Sequence, residues 1–359
     1  MVSQFSEPQS ICILRLSAIG DVCHAVATVQ AIQKQWPNTK ITWVIGRVEK
    51  KLVNGLSGVN FVEFEKYTGL AGFVRFRKQI KHLKFDILLN MQGSFRASLI
   101  STQINAVEKW GFNRKNTREG QWLFTNRQIP FLKTPHVAEG FLAFAKAIGV
   151  GADYQLNWKM PVSPTARKWC EERLAGAGRY IIISPSASKP ERNWLTERYA
   201  EMVKYSQEKG FAVVICGGPS PFERELAEEI EKQSGSAIIN LVGETDLQQM
   251  LALLEKAELL IAPDTGPAHM AVTVQTPVIG LYVHSNPERT GPYLYRHYVV
   301  SHYEALLKAQ TGKSVAENSW GARVKGIGLM EHITVEAVKS MFDKVIEDTT
   351  NQSLSIHQA

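Results

Sequence analysis

Residues 259–272 read Leu-Leu-Ile-Ala-Pro-Asp-Thr-Gly-Pro-Ala-His-Met-Ala-Val, a short apolar run that leads directly into a glycine-containing loop and then into a helical pattern. An apolar run this short is typical of a strand buried on both faces of a parallel sheet. Gly266 frees the backbone where the helix begins, and the first amide hydrogens of a helix have no partner within it. The stretch predicts a strand, a loop and a helix start suited to a phosphate.

The same unit recurs along the chain. Short apolar runs, each followed by a helical pattern, lie at 11–16, 41–45, 61–64, 86–90, 180–184, 212–216, 238–241, 259–262 and 278–282. Alternating strands and helices favour parallel sheets with right-handed crossovers. We therefore predict the α/β class, with two doubly wound sheets facing each other across a cleft and ligands bound beyond the strand ends.

The length and the restart of this pattern set the domain boundaries. A chain of 359 residues with 44% hydrophobic residues is long enough for two domains and too apolar for disorder. The alternation begins afresh near residue 180, after a polar, proline-containing stretch. We place the domains at 1–165 and 166–348, with residues 349–359 as a frayed tail.

The formal charge of +7 is concentrated in one half. Residues 1–160 contain 21 Lys and Arg against 10 Asp and Glu, a net charge of +11, whereas residues 161–359 contain 20 against 24, a net charge of −4. A one-sided basic field attracts anions, so nucleic acid, anionic lipid head groups and acidic soluble substrates all remain open.

The cysteines and the hydropathy pattern favour the cytoplasm. The four cysteines are widely spaced, without a CxxC pair or a zinc-like cluster, and are expected to be reduced, mostly buried thiols. The first residues lack the layout of a signal peptide, and no stretch approaches the ~18 consecutive apolar residues of a membrane span. We expect a cytoplasmic protein that at most rests on a membrane.

The first candidate loop, Arg-Leu-Ser-Ala-Ile-Gly-Asp-Val-Cys-His at 15–24, follows the first strand. Gly20 would allow a tight turn, and Asp21 at the helix start is either a general base or only an N-cap. His24 could face a ligand or pack in the interior. The loop is neither a dinucleotide fingerprint nor a Walker loop, because it lacks both glycine patterns.

The second candidate loop follows the strand at 180–184 and precedes Trp194. Its hydroxyls and cations suit an anion, with Ser186 and Ser188 donating hydrogen bonds and Lys189 and Arg192 supplying charge. The alternative is an ordinary solvated loop.

The third candidate loop is the opening stretch, in which Asp264 and Thr265 could also simply cap the helix and His269 could be a packed side chain. Two weaker signals accompany it. Glu223, after a Cys-Gly-Gly-Pro turn, could face a ribose, and residues 284–293 form a polar loop, although a structural role is the better interpretation of both. Residues 307–329 show no assignable pattern.

Taken together, Ser-Ala-Ile-Gly-Asp at 17–21, the Lys/Arg loop before Trp194 and Asp-Thr-Gly-Pro-Ala-His at 264–269 resemble glycosyltransferase family 9, the ADP-heptose:lipopolysaccharide heptosyltransferases. The similarity runs from about residue 11 to residue 342 and looks closest to the heptosyltransferase I group. It implies the GT-B fold of two Rossmann-like domains, with the acceptor on the first and the nucleotide sugar on the second.

The resemblance also implies roles for individual residues. Asp21 would be the base of an inverting transfer without metal or cofactor, Thr265 and Gly266 would bind the diphosphate, and Asp264 would position the sugar. The implied donor-binding set is Ser186, Ser188, Lys189, Arg192, Glu223, Asp264, Thr265, Gly266, Pro267 and His269; the implied acceptor-binding set is Ser17, Gly20, His24 and Arg96.

One departure from the family concerns the cation before Trp194. The family usually has lysine two residues before this tryptophan, where this chain has Arg192, with Lys189 three residues earlier. Lysine and arginine differ in geometry, so either cation could contact the β-phosphate of ADP-heptose.

The resemblance gives the basic half a partner: Kdo-lipid A, or inner-core lipopolysaccharide, at the cytoplasmic face of the inner membrane. Peripheral attachment to anionic lipid fits this charge. Two alternatives remain: a sugar-nucleotide epimerase of the same architecture, and a basic protein that binds anionic surfaces. Nucleic acid is not expected as a partner, because the basic residues are not interleaved with stacking aromatic residues.

Overall fold

The computed structural model describes residues 3–65, 69–117 and 119–357, with only the backbone described at residue 70 and at 352–357. The chain divides into two compact units, residues 1–161 and 162–359. Each unit is built around one parallel sheet. The predicted α/β class is confirmed.

The first unit alternates strands and helices. Its elements are β1 (Ser10–Leu14), α1 (Ile19–Gln35), β2 (Lys40–Gly46), α2 (Arg47–Val53), β3 (Val59–Phe64), α3 (Gly69–Ile80), β4 (Lys84–Asn90), α4 (Phe95–Ser101), β5 (Asn105–Gly111), β6 (Arg127–Gln128) and α5 (Val137–Ala147). The strand order in the described residues is β3-β2-β1-β4-β5-β6, so the direction of winding reverses between β1 and β4. Leu14 at the end of β1 pairs in register with Asn90 at the end of β4.

The second unit repeats this plan. Its elements are α6 (Pro164–Arg173), β7 (Tyr180–Ile183), α7 (Thr196–Glu208), β8 (Ala212–Ile215), α8 (Pro221–Ser234), β9 (Ile239–Asn240), α9 (Leu247–Lys256), β10 (Leu260–Pro263), α10 (Gly266–Thr273), β11 (Val278–Tyr282), α11 (Pro287–Thr290), β12 (Val300–Ser301), α12 (Tyr303–Thr311) and α13 (Val335–His357). The order of its described strands is β12-β11-β10-β7-β8-β9, with the reversal between β7 and β10.

The sequence analysis did not predict three of the strands, β5, β6 and β12, and there is a physical reason why each was missed. β6 and β12 are only two residues long. β5 contains Glu108, which is 2% exposed and accepts hydrogen bonds from the Gln4 amide at 3.0 Å and from Trp110 Nε1 at 2.9 Å. Although its burial opposes ionisation, these bonds hold the pKa of Glu108 below its usual range. A polar strand of this kind lacks the apolar pattern of its neighbours.

The last helix differs from the prediction as well. The polar residues after Asp348, expected to form a frayed tail, continue α13 as far as His357. The helix contains neither glycine nor proline, so no residue in this stretch forces it to end. Within it, Thr349 Oγ1 bonds to the Val345 carbonyl at 2.9 Å.

The four cysteines are buried free thiols, as expected from their spacing. Burial raises the pKa of Cys216 to about 12, so this thiol stays protonated at neutral pH. Among the described residues, no helix is both long enough and apolar enough to cross a bilayer.

Candidate functional site

The candidate loops lie where ligands bind in doubly wound sheets, beyond the carboxyl ends of the strands that flank the reversal of strand order. In the first unit the loop after β1 carries Asp21. In the second unit the loop after β7 carries Arg192, and the loop after β10 carries Asp264. The motifs selected from the sequence therefore occupy the switch point of each sheet.

Asp21 lies in the first turn of α1, where a carboxylate is favoured by the helix dipole. Its Oδ2 accepts a hydrogen bond from the Ala18 amide at 3.3 Å and forms an ion pair with Nη2 of Arg15. Neither contact uses Oδ1, and the Asp21 side chain is 30% exposed. The carboxylate is thus held in one orientation with one oxygen available to a ligand.

Arg15, which the sequence analysis did not single out, fixes this geometry. Its Nη1 donates to the Met91 carbonyl at 2.6 Å, and its guanidinium lies 5.0 Å from the ring centroid of Phe141. The side chain is only 11% exposed. The sequence signal that could have revealed Arg15 is its position, since it is a cation that directly follows the buried strand β1.

The backbone of the first loop is held from two sides. The Leu16 amide donates to Gln92 Oε1 at 2.7 Å, and the Leu16 carbonyl accepts from the Gly46 amide at 3.0 Å. A Cβ added at Gly46 would lie 2.5 Å from that carbonyl and would also meet Oε2 of Glu49. Only glycine allows β2 to approach the loop this closely.

The acceptor candidates of the first unit lie in different settings. Ser17 is partly exposed in the loop, and Arg96 is exposed in the first turn of α4. Gly20 does not form the expected tight turn, because α1 begins one residue earlier and Gly20 has a helical backbone. His24 is 2% exposed, with its ring 5.1 Å from that of His136 in an edge-to-face contact, so it packs in the interior.

Asp264 lies at the centre of the site in the second unit. Its Oδ2 is 3.4 Å from Nη1 of Arg192, and its Oδ1 is 3.7 Å from Nε2 of His269. Burial opposes its ionisation, but the neighbouring His269 and Ser285 side chains and the charge of Arg192 hold the pKa of Asp264 below its usual range. Asp264 is therefore an ionised, nearly buried carboxylate at neutral pH.

The start of α10 adjoins Asp264. Thr265 is its N-cap residue, but the threonine side chain makes no capping bond, and its Oγ1 is buried without a partner among the described residues. Pro267 has no amide hydrogen, so the amides of Gly266 and Ala268 remain as first-turn donors. A helix start with uncapped amides favours an anion.

The two cations of the loop after β7 differ in exposure and in their contacts. Arg192 is 13% exposed and contacts Asp264, whereas Lys189 is exposed at the start of a 3-10 helix. Ser186 is partly exposed and Ser188 is exposed. Asn193, not selected from the sequence, accepts the Ala187 amide at 2.7 Å and has a buried Nδ2 without a partner in the described chain.

Glu223 lies in the first turn of α8 and braces the preceding glycines. Its Oε2 accepts from the Gly218 amide at 2.6 Å, and its Oε1 accepts from the Ser220 hydroxyl at 3.1 Å. These bonds match the structural role considered for it. Each oxygen retains a lone pair for a hydroxyl of a ligand.

No group of three or more His, Cys, Asp and Glu side chains suited to a metal ion occurs in the described part of the chain. The charged groups of the second unit are instead arranged as a buried carboxylate, a guanidinium and a helix start. This combination suits an anion that carries hydroxyl groups.

Comparisons with known proteins show the family and the fold of the chain. A family model described as glycosyltransferase family 9 (heptosyltransferase) matches residues 73–318. This chain belongs to glycosyltransferase family 9. The lipopolysaccharide core heptosyltransferase OpsX of Haemophilus influenzae is 42% identical over 338 residues, which cover 94% of this chain and 97% of that protein.

Two solved structures share the fold of this family 9 protein. A family 9 glycosyl transferase from Veillonella parvula superposes with a TM-score of 0.78 at 20% identity, covering 95% of this chain and 98% of the other. The Escherichia coli heptosyltransferase WaaC with ADP gives 0.73 at 20% identity, covering 94% and 99%. The resemblance drawn from the motifs, the GT-B fold and the glycosyltransferase class are confirmed.

Proposed function

We propose that this glycosyltransferase transfers a heptose from ADP-heptose to the Kdo and inner-core region of lipopolysaccharide, with inversion and without a metal ion. The family and the OpsX relative support a heptosyltransferase of the lipopolysaccharide core. Within the family, the motifs favour the heptosyltransferase I group, which acts on the inner core. The first unit binds the acceptor, and the second binds the donor.

The donor is held by the switch point of the second sheet. Arg192 and the first amides of α10, at Gly266 and Ala268, contact the diphosphate, and Thr265 donates from its hydroxyl. As ADP leaves, negative charge builds on its β-phosphate, and these fixed donors stabilise it without reorganising. Arg192 replaces the family's lysine as the main β-phosphate contact, because it is partly buried beside Asp264. Exposed Lys189, together with Ser186 and Ser188, provides a secondary contact.

The sugar and the nucleoside occupy the two sides of this phosphate site. The ionised Asp264 accepts hydrogen bonds from hydroxyls of the heptose, and His269 keeps that carboxylate oriented. Glu223 accepts from the ribose while bracing its glycine turn. Pro267 fixes the backbone at the helix start and, because it has no amide hydrogen, leaves phosphate binding to the amides of Gly266 and Ala268.

Asp21 acts as the general base. Its Oδ1 accepts the proton of the acceptor hydroxyl as that oxygen attacks the anomeric carbon and the bond from this carbon to ADP breaks. Arg15 is a positioning residue, since its guanidinium is engaged by the Asp21 carboxylate and the Met91 carbonyl. Because the nucleophile enters opposite the leaving group in one step, the product is inverted.

The acceptor and the membrane account for the excess of basic residues in the first unit. Arg114 lies 4.1 Å from the ring centroid of Trp122, and Lys115 lies 5.6 Å from that of Phe131, an exposed aromatic side chain. Cations beside one exposed and one half-buried aromatic ring suit a phosphorylated glycolipid in an anionic membrane. Arg96 and Ser17 lie on the same unit. Arg118, another cation of this region, lies outside the described residues.

The observation that carries this proposal is the Arg192–Asp264–His269 arrangement at the start of α10. Calorimetric titration with ADP, UDP, GDP and their sugars tests it, and ADP and ADP-heptose should bind most tightly. Transfer of heptose to Kdo-lipid A, followed by mass spectrometry, should then require both substrates. A preference for another nucleotide, or conversion of the nucleotide sugar without acceptor as in an epimerase, would overturn the proposal.

A further inference from the structure

The segment after β11 contains buried polar groups that the mechanism above does not use. His284 and Ser285 are each 6% exposed, and His284 Nε2 has no hydrogen-bond partner among the described residues. Ser285 Oγ lies near enough to Asp264 to help lower its pKa, but it makes no well-directed hydrogen bond to any described residue. Buried polar atoms are nearly always paired in folded proteins, so two such atoms on adjacent residues call for a partner from outside the chain.

Both residues lie beside Asp264 and Arg192 of the candidate donor site. Together with Arg192, Asp264 and Tyr282, they line a cavity of about 10 Å³. A cavity of this size accommodates one hydroxyl group or one water molecule, and excludes a sugar ring or a phosphate. The cavity therefore admits a single substituent of a larger ligand.

The hydrogen-bonding pattern of His284 defines the group that fits. Its Nδ1 lies 3.0 Å from the Val324 carbonyl, which can only accept, so Nδ1 carries the hydrogen and Nε2 of the neutral ring is an acceptor. The hydroxyl of Ser285 can donate or accept. A sugar hydroxyl donates one hydrogen bond and accepts others, which satisfies both side chains, whereas an ionised phosphate has no hydrogen to donate to Nε2.

The backbone holds the segment rigidly. Asn286 caps α11 by accepting the Glu288 amide at 3.0 Å, and the Val324 amide donates to the His284 carbonyl at 3.1 Å. The two side chains are thus presented by fixed elements, as a specificity-determining contact requires.

We propose that His284 and Ser285 bind one hydroxyl group of the donor sugar in the cavity beside Asp264 and thereby select the sugar. This inference rests on the proposed function and adds a contact that distinguishes one nucleotide sugar from another.

The test compares ADP with ADP-heptose as calorimetric ligands of the full chain. His284→Asn keeps an amide donor near the Val324 carbonyl and removes the acceptor at Nε2, and Ser285→Ala removes the hydroxyl. Each variant should bind ADP-heptose about tenfold more weakly and ADP as the wild type does, because only the sugar reaches the cavity. One singly deoxygenated ADP-heptose should bind the wild type and His284→Asn equally weakly.

Ser206→Ala is the matched control, since Ser206 is a fully buried serine of the same unit that bonds within α7 to the Met202 carbonyl at 2.7 Å. It should leave both affinities unchanged. Variants that bind ADP-heptose normally, or that lose ADP and ADP-heptose binding alike, would overturn the inference and leave the proposed function intact. A wild-type protein that binds no ADP-heptose would overturn both.

Discussion

Arg15 and Asp21 form an ion pair between Nη2 and Oδ2, while Nη1 of the same guanidinium donates to the Met91 carbonyl at 2.6 Å. The pair joins the end of β1, the start of α1 and the residue after β4. The orientation of the carboxylate is thus set by three elements of the first unit and not by the loop alone.

Replacing Arg15 tests its role as a positioning residue. Arg15→Met should lower kcat roughly 10- to 100-fold, because a general base displaced by about 1 Å loses its alignment. The affinity for ADP should not change. Arg15→Lys should recover part of kcat, since an ammonium keeps the ion pair but cannot reach Asp21 and Met91 at once. Initial rates at saturating donor and acceptor measure the kcat of each variant.

Arg47→Met is the control for this change of charge, since Arg47 is 71% exposed on the same unit. Its rates should match the wild type. Equal rates for Arg15→Met and Arg47→Met would contradict the positioning role.

The two cations of the loop after β7 should differ in their effect on the donor. Arg192→Met should weaken ADP binding roughly tenfold or more, since a charge-assisted bond to phosphate is lost and Asp264 is left without its cation. Lys189→Met, which removes an exposed cation, should weaken it less than threefold. Calorimetric titration with ADP measures both, and the reverse order would assign the β-phosphate contact to Lys189.

The lowered pKa of Asp264 predicts a pH dependence of stability. A carboxyl group whose folded pKa is depressed stabilises the fold above its unfolded pKa of ~3.9, and that contribution is lost as the pH falls through the folded value. The unfolding free energy of the wild type minus that of Asp264→Asn should therefore become smaller as the pH falls from 5 to 3, because only the wild type loses the contribution of the ionised carboxylate. Urea unfolding at several pH values measures it, and a difference that grows on acidification would contradict the assigned direction.

Gly46 should tolerate no side chain. Gly46→Ala should destabilise the protein by about 1–3 kcal/mol, because the added Cβ would overlap the Leu16 carbonyl and the Glu49 carboxylate. Gly140→Ala is the control, since Gly140 lies inside α5 with nothing within 4 Å of an added Cβ. The control should be neutral or slightly stabilising. Thermal unfolding of both variants checks this, and equal midpoints would argue against the close approach.

The sequence pointed to the parts of the candidate site that lie within one strand–loop–helix unit. Asp264, Thr265 and Gly266 are contiguous, and so are Asp21 and its helix start, so local pattern was sufficient for them. Arg15 was missed because its role depends on the Met91 carbonyl, 76 residues away. The same reason explains the missed strand β5, where Glu108 is satisfied by the Gln4 amide from the other end of the unit.

Where the sequence left alternatives open, burial often separated them. His24 could have faced a ligand, but its edge-to-face contact with His136 places it in the interior. The sequence could not decide whether Lys189 or Arg192 contacts the phosphate, and only the fold shows that Arg192 lies beside Asp264. His284 and Ser285 looked like an ordinary loop, because an unpaired buried atom cannot be recognised without its surroundings.

Heptose transfer by Asp21→Asn tests whether Asp21 is the general base. Asparagine preserves the size of the side chain but cannot accept the proton, so kcat should fall roughly 10²- to 10⁴-fold. Calorimetry on the same sample should show ADP-heptose binding close to that of the wild type. Turnover near the wild-type rate would contradict the assignment of Asp21 as the base.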